Sequence, residues 1–338
     1  MPSKKCYEVL IKQGIRVDKS KFDSLDCLEN SDDLNKLGEV LNSLKSVNGS
    51  KPIITFNTVM GNPDFERIEQ EEFINFYVEP FQDSYRKYYG ESNMHIWQSL
   101  IENKLMQPQF HAREHLNSDL WIQDLQDGHQ KTCLAFRHRF FGLKTRTSHP
   151  HQEHYLSAYH IANEKDLERK ISILKEGLKT FEELFGFISE TFIGCNYVWP
   201  NEIEKPLKNL GVEVLQGQRG HIVPRITDGA TAIQYHFTGQ QNTSEQIYTV
   251  RNCHFEPFLN DQKDWVTSCI NDIQRSFFWR KPAIVSTHRI NFVSGMDVKH
   301  RDRNLSLLKE LLQRIINNWP DVRFLSSDQL AKTILSNE

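Results

Sequence analysis

The chain has 338 residues, 38% of them hydrophobic and 25% charged, with a formal net charge of -3, which is the composition of a water-soluble globular protein. Its lysines and arginines are scattered rather than gathered into a stripe, so we do not expect a nucleic-acid partner. No apolar run approaches the length of a membrane-spanning helix and no export signal follows Met1, so we expect no membrane span and a cytoplasmic protein.

Short apolar runs, typical of buried strands, alternate along the chain with longer amphipathic runs, typical of helices. Strands are predicted at residues 52–56, 107–110, 132–136, 191–195, 212–215, 248–255, 282–287 and 322–325. Helices are predicted at residues 32–44, 93–104, 164–185, 264–278 and 303–319. This alternation indicates an α/β fold with a parallel sheet, and the length favours a (β/α) barrel. We expect one domain over residues 1–338, with insertions at the rim near 144–160 and 217–246.

Polar and ionisable side chains follow several of the expected strands, where a β/α barrel carries its functional groups. His288 follows the strongly apolar run 282–287 and is a candidate general acid or base. Arg251 and Glu256 lie at the end of the run 248–255. The simpler explanation is that Glu256 caps the following helix and that Arg251 forms an ion pair with Glu256. The strand-end candidates for catalysis or substrate contact are Asn57, Asn196, Trp199, Arg251, Glu256, His288 and Arg289.

His111 and His115 lie four residues apart at the end of the run 107–110. If the chain makes one helical turn there, both imidazoles lie on one face and can bind one divalent metal ion, with zinc the first candidate. A third ligand is then required. Glu114 cannot easily share the metal face at helical geometry, so we expect it to orient a ligand or to contact the substrate.

Other residues of metal-binding type carry a weaker signal. Three further histidines lie in a proline-broken polar loop, where we expect them to be exposed: His149, His151 and His154. The six cysteines are widely spaced without a Cys-x-x-Cys pair, so we expect buried free thiols rather than a disulfide framework.

The order of these motifs resembles that of the polysaccharide deacetylase (NodB-homology) family, in a divergent bacterial branch of the glycoside hydrolase/deacetylase superfamily. His111 and His115 match the spacing of the family's metal-binding His-x-x-x-His motif, with Ala112 in place of the usual hydroxyl residue. Residues 192–200 occupy the place of the family's Arg-x-Pro-Tyr motif without its arginine. Residues 283–288 resemble the last apolar strand, which ends in the catalytic histidine. The resemblance implies a distorted seven-stranded deacetylase-type barrel.

One family motif is missing from its expected place. The family carries two adjacent aspartates at the end of its first strand, one a metal ligand and the other the general base. Here the unit at residues 52–56 resembles the second unit, and Asp32-Asp33 has the pattern of a helix N-terminus. Three explanations stay open: the first strand lies upstream of Met1, Asp64 or another carboxylate substitutes, or the protein is not a metal-dependent deacetylase.

The resemblance implies a zinc-dependent hydrolase that removes acetyl groups from an amino-sugar polymer, with His288 protonating the leaving amine. A carbohydrate would then be its partner. Two other classes stay open. The first is a carbohydrate-binding barrel without catalysis, which the missing aspartates favour. The second is a metalloprotease, because His-x-x-Glu-His is also a protease signature; that motif requires a well-formed helix.

Overall fold

The computed structural model of the chain describes residues 4–143 and 155–336, so the three loop histidines expected to be exposed lie outside the described residues. The strands are β1 (Ile54–Val59), β2 (Gly61–Pro63), β3 (Val78–Pro80), β4 (Met106–Ala112), β5 (Thr191–Ile193), β6 (Val214–Gly217), β7 (Gly220–Pro224), β8 (Thr231–Tyr235), β9 (Ile247–Val250), β10 (Cys253–His254) and β11 (Val285–Ser286). The helices are α1 (Lys4–Lys12), α2 (Lys21–Leu25), α3 (Ser31–Asn42), α4 (Phe65–Gln70), α5 (Phe81–Tyr89), α6 (Met94–Glu102), α7 (Ser118–Gln126), α8 (Gln130–Arg137), α9 (Glu164–Phe185), α10 (Glu204–Asn209), α11 (Trp265–Phe278), α12 (Val298–Asn318) and α13 (Ser327–Leu335).

A central parallel sheet of five strands, in the order β1-β4-β5-β6-β9, organises a mixed α/β fold. Strands β10 and β11 form a separate parallel pair, and β2-β3 and β7-β8 form antiparallel pairs. Within the described residues the strands do not form one continuous seven-stranded sheet, and none precedes β1. Among these residues no helix is both long and apolar enough to cross a lipid bilayer.

One face of the sheet is apolar and packs against helices. Phe110, Phe192, Leu215 and Tyr248 are partners across the four strands from β4 to β9, and all are buried in the main hydrophobic core. Helix α9 approaches this row closely at Gly177, where an added Cβ would lie 2.7 Å from the Phe110 ring. A side chain at this point of α9 would push the helix off the sheet.

The opposite face, here called the inner face, is polar and strongly curved. Gln216 in β6 donates from Nε2 to Asn57 Oδ1 in β1 at 3.0 Å and to Thr191 Oγ1 in β5 at 2.7 Å, while Thr191 Oγ1 donates to Gln109 Oε1 in β4 at 3.2 Å. In a flat sheet β1 and β6 would be about 14 Å apart, three strand spacings. The direct contact between Asn57 and Gln216 therefore requires the sheet to curl around this face.

The predicted helix at residues 164–185 is α9 with the same bounds, because its sequence carries signals at both ends. The Asn163 side chain accepts a hydrogen bond from the backbone of Asp166, and Gly186 ends the helix with a φ of +77°. Asn30 caps α3 in the same way, so Asp32 and Asp33 begin a helix as predicted.

Two predicted strands are wrong. The run 132–136 lies in helix α8, whose buried residues Thr132, Ala135 and Phe136 follow helical spacing, so a short apolar run was misread. The run 322–325 forms neither a strand nor a helix. The expected insertion near 217–246 contains the β7-β8 hairpin, which follows β6 at the carboxyl edge of the sheet.

Candidate metal-binding and catalytic site

The two histidines of the His-x-x-x-His motif come together without a helix. His111 lies inside β4, and residues 113–117 form a bend before α7 begins at Ser118. The amides of Met60 and Gly61 donate to the carbonyl oxygens of Ala112 and Arg113 at 2.9 and 2.8 Å, which keeps this stretch extended. The two imidazole centroids are nevertheless 4.9 Å apart. The helical turn considered as a way to bring the rings together does not form, but the two rings do lie close together.

The hydrogen bonds of His111 fix its tautomer and its orientation. Its Nδ1 lies 2.6 Å from the carbonyl oxygen of Ile193, so Nδ1 carries the proton and Nε2 keeps its lone pair. Burial, together with electrostatic interaction with His115, Arg251 and His288, lowers the pKa of His111 to about 3. The His111 ring is therefore neutral at pH 7, and these three side chains lie close enough to act on it electrostatically.

Cys195 joins the two histidines. It follows β5, the strand that pairs with β4, and its Sγ lies 4.0 Å from His111 Nε2. One ligand atom from each of His111, His115 and Cys195 lies within 4.8 Å of the other two. Burial raises the pKa of the Cys195 thiol well above its ordinary range. Our expectation for this cysteine was a buried free thiol, which gave it no role in the site.

A second pair, His288 and Glu256, forms at the carboxyl ends of β11 and β10. His288 Nδ1 lies 2.7 Å from Glu256 Oε1, and the Glu256 Oε2 atom accepts from the His288 amide at 3.2 Å and from Asn291 Nδ2 at 2.9 Å. The Glu256 side chain is 6% exposed, whereas that of His288 is 43% exposed. Glu256 thus holds the Nδ1–H tautomer of His288, and the imidazole remains accessible to solvent.

Arg251 bonds to residues that lie near each of the two histidine groups. Its Nη1 donates to the Tyr197 hydroxyl at 3.0 Å and to Ser286 Oγ at 3.4 Å. Tyr197 and the exposed Asn196 follow Cys195 and both have left-handed backbone conformations, with φ values of +58° and +55°. Such conformations cost non-glycine residues free energy, so they persist only where the surrounding structure holds them.

Arg289, expected to contact substrate, is held by the N-terminal part of the chain. Its Nη2 lies 2.9 Å from Asp26 Oδ2 and its Nη1 lies 3.4 Å from Glu29 Oε2. Phe22, in the same part of the chain, meets the His288 ring edge to face at 5.3 Å. Arg289 therefore anchors residues 22–29 beside His288.

Two residues predicted to bind substrate lie in the interior instead. The Glu114 side chain is 1% exposed and forms an ion pair with Arg113, and it accepts a further hydrogen bond from Ser118 at 3.1 Å. Trp199 is 2% exposed and stacks on His221 with 3.5 Å between ring centroids. Because both side chains are buried, a direct contact with substrate does not fit either of them. A position at the end of a strand does not reveal which way a side chain points.

The remaining candidates, Asp64 and Asn57, supply no carboxylate to the histidines. Asp64 caps α4 through a 3.2 Å hydrogen bond from the Arg67 amide, and its carboxylate groups with those of Glu66 and Glu79. Lys87 lies 2.7 and 2.5 Å from these two glutamates, so it offsets part of their charge. Asn57, near the end of β1, belongs to the inner-face network. Within the described residues the His111–His115–Cys195 group includes no carboxylate.

The comparisons with known proteins are remote. No family model matches the chain, and no curated protein matches it. Among solved structures, it is similar to one from Mycobacterium smegmatis provisionally named a polysaccharide deacetylase, with a TM-score of 0.41, 12% identity and coverage of 98% of this chain and 84% of that one. It is also similar to a GH57-type branching enzyme from the archaeon Pyrococcus horikoshii, with a TM-score of 0.36, 11% identity and coverage of 97% and 62%. At these scores neither likeness identifies a family for the chain.

Proposed function

We propose that the chain is a metal-assisted hydrolase that cleaves an acetamide on an amino-sugar polymer. The observation that carries this proposal is the presence of two neighbouring groups. His111 and His115 lie at the end of β4, where the Nε2 lone pair of His111 is not bound by the backbone, and His288 and Glu256 lie just beyond β11 and β10. The choice of a carbohydrate rests on the resemblance of the sequence motifs. The strong curvature of the sheet supports the barrel that this resemblance implies.

The donor atoms present fit a divalent transition metal, because neutral imidazole nitrogens are ligands that zinc prefers. His111 and His115 would hold the ion. Such an ion polarises a carbonyl group and makes water a nucleophile at neutral pH. The protein side chains must then move one proton from the attacking water to the leaving nitrogen.

His288 is suited to that transfer. With Nδ1–H held by Glu256, its Nε2 accepts a proton from water as the oxygen attacks the carbonyl carbon. The Glu256 carboxylate stabilises the resulting imidazolium. His288 then donates the proton to the amine nitrogen as the C–N bond breaks, which yields a free amine and acetic acid, and the acid ionises to acetate in water. One residue would thus serve as base and then as acid, since the described site includes no aspartate base.

The test is acetate release from partially acetylated amino-sugar oligomers by the purified, zinc-supplemented protein. We expect activity in the wild type, and a loss of at least about 100-fold in kcat for His288→Gln. His254→Gln is a matched control, since His254 lies nearby on β10 but is exposed and outside the pair. Equal activity in the two variants would contradict the assigned role of His288.

A non-catalytic carbohydrate-binding protein is the second candidate. It is favoured by one observation: within the described residues no strand precedes β1, so none of them carries the paired aspartates that end the first strand of the resembled family. Oligomer binding without acetate release, at every metal tested, would support this candidate over the hydrolase. The metalloprotease alternative loses its basis, because residues 113–117 form no helix and Glu114 is bound to Arg113.

A further inference from the structure

The identity of the third metal ligand follows from the geometry around Cys195. Strands β4 and β5 are parallel neighbours that pair at Phe110 and Phe192, so both end at the same edge of the sheet. His111 is the next residue of β4 after this pair, and Cys195 lies two residues past the end of β5, with its Sγ 4.0 Å from His111 Nε2. A tetrahedral zinc ion, with bonds of about 2.05 Å to nitrogen and 2.3 Å to sulfur, sets these atoms about 3.6 Å apart. The observed separation is close to that of two ligands of one ion.

The same strand also orients the histidine. Ile193, the last residue of β5, accepts the Nδ1 hydrogen bond of His111 at 2.6 Å, which directs the opposite ring nitrogen toward Cys195. A backbone carbonyl that binds the non-ligating nitrogen is the usual outer support of a metal-binding histidine. β5 therefore supplies both the sulfur and the carbonyl that aims the nitrogen.

The backbone around Cys195 is held in place on both sides. An added Cβ on Gly194 would lie 2.3 Å from the Trp199 ring, so this residue is confined against a buried side chain. On the other side, Asn196 and Tyr197 adopt left-handed conformations, and the Tyr197 hydroxyl is bound by Arg251. These constraints fix the direction of a cysteine that would otherwise be one buried thiol among several.

We propose that Cys195 is the third protein ligand of a zinc ion bound by His111 and His115, with the fourth position left for water or substrate. The proposal rests on the proposed function, whose metal it specifies. The cysteine sulfur would then serve as the third protein ligand, a role for which the resembled family uses an aspartate. A thiolate among the ligands selects zinc and related soft ions over magnesium, calcium and manganese. The ion would therefore be held without any carboxylate.

The decisive measurement is the ligand environment of the metal in the full-length protein. X-ray absorption of the zinc-loaded wild type is expected to show one sulfur neighbour at about 2.3 Å beside lighter atoms. Cobalt(II) in place of zinc is expected to give a sulfur-to-metal charge-transfer band in the near ultraviolet. Both measurements need no variant, so misfolding of a mutant cannot obscure them.

A pair of matched variants completes the test. We expect Cys195→Ala to lose the cobalt band and to bind zinc at least about 100-fold more weakly than the wild type. Cys269→Ala, which removes another buried free cysteine, is expected to keep both properties. A wild type without a sulfur neighbour, or equal zinc affinity in the two variants, would overturn the proposal and leave Cys195 as a packing residue.

The outcome for the metal ligand is separable from that for the proposed function. Zinc binding that depends on Cys195, without acetate release from any oligomer, would uphold the ligand and reject the hydrolase. Acetate release with unchanged zinc content in Cys195→Ala would uphold the hydrolase and reject the ligand.

Discussion

Replacement of Arg301 by methionine should remove several kcal/mol of stability. Arg301 in α12 is 2% exposed and lies 2.7 Å from the carboxylate of Asp33, which is 1% exposed. The variant keeps the apolar stem but leaves Asp33 with only two hydrogen bonds, from the amides of Asn30 at 3.1 Å and Ser294 at 3.3 Å. Loss of one partner from a buried ion pair costs about 3–5 kcal/mol. The other two partners, Asp32 and Asp302, are 61% and 49% exposed and add little.

Urea unfolding followed by circular dichroism measures this loss. Arg314→Met is the control on the same helix, because the pair between Arg314 and Glu310 is 3.7 Å long and its side chains are 39% and 54% exposed. That control should lose less than about 1 kcal/mol. The double variant Arg301→Met/Asp33→Asn should recover about 2 kcal/mol or more, since no buried charge is left. A difference below about 1 kcal/mol between the two single variants would refute the reasoning.

Three further predictions concern the site, the acid stability and the packing. Glu256→Gln should lower kcat for acetate release by about 100-fold with little change in KM, because the amide no longer stabilises protonated His288; unchanged kcat would dismiss this role. Burial lowers the pKa of His221 to about 3, so only the unfolded chain takes up this proton as the pH falls from about 6.5 toward 3. Between pH 8 and pH 5, the free energy of unfolding of the wild type should therefore fall by about 2 kcal/mol more than that of His221→Gln. Equal changes in the two proteins, measured by urea unfolding at both pH values, would contradict this prediction. Gly177→Ala should lower the free energy of unfolding by about 1–3 kcal/mol, although alanine has the better helix propensity. The new methyl group would lie 2.7 Å from the Phe110 ring. A Tm above that of the wild type would show that the ring moves aside without cost.

The fold could be predicted from sequence where local signals agree with the packing. Helix 164–185 has a cap, a stop glycine and an apolar stripe, so its bounds were readable. The run 132–136 is five residues long, and a run of that length contains too little periodicity to separate a strand from a buried helical turn. The parallel sheet could be predicted from the alternation, although not its five strands, and its curvature depends on a contact between Asn57 and Gln216, which are far apart in sequence.

The site could be predicted only in part, because spacing and strand ends locate a residue but do not give its direction. His111 and His115 do lie together, although an extended strand and a bend bring them there. Cys195 went unrecognised because cysteine is usually a core residue. A usable signal existed nonetheless: the residue ends an expected strand, where the chemistry of a β/α fold is concentrated. Trp199, four residues later, is buried and shows the limit of that rule.

The polar inner face also controls how β4 aligns with its neighbours. Side chains alternate along a strand, so a slip of one residue would exchange Gln109 with Phe110. The amide would then enter the aromatic layer without its partner Thr191, and the ring would displace the hydrogen-bonded amides around Gln216. A shift in the register of β4 therefore raises the free energy on both faces of the sheet. His111 shares the parity of Gln109, so correct alignment of the strand during folding already turns this imidazole toward the interior of the curve.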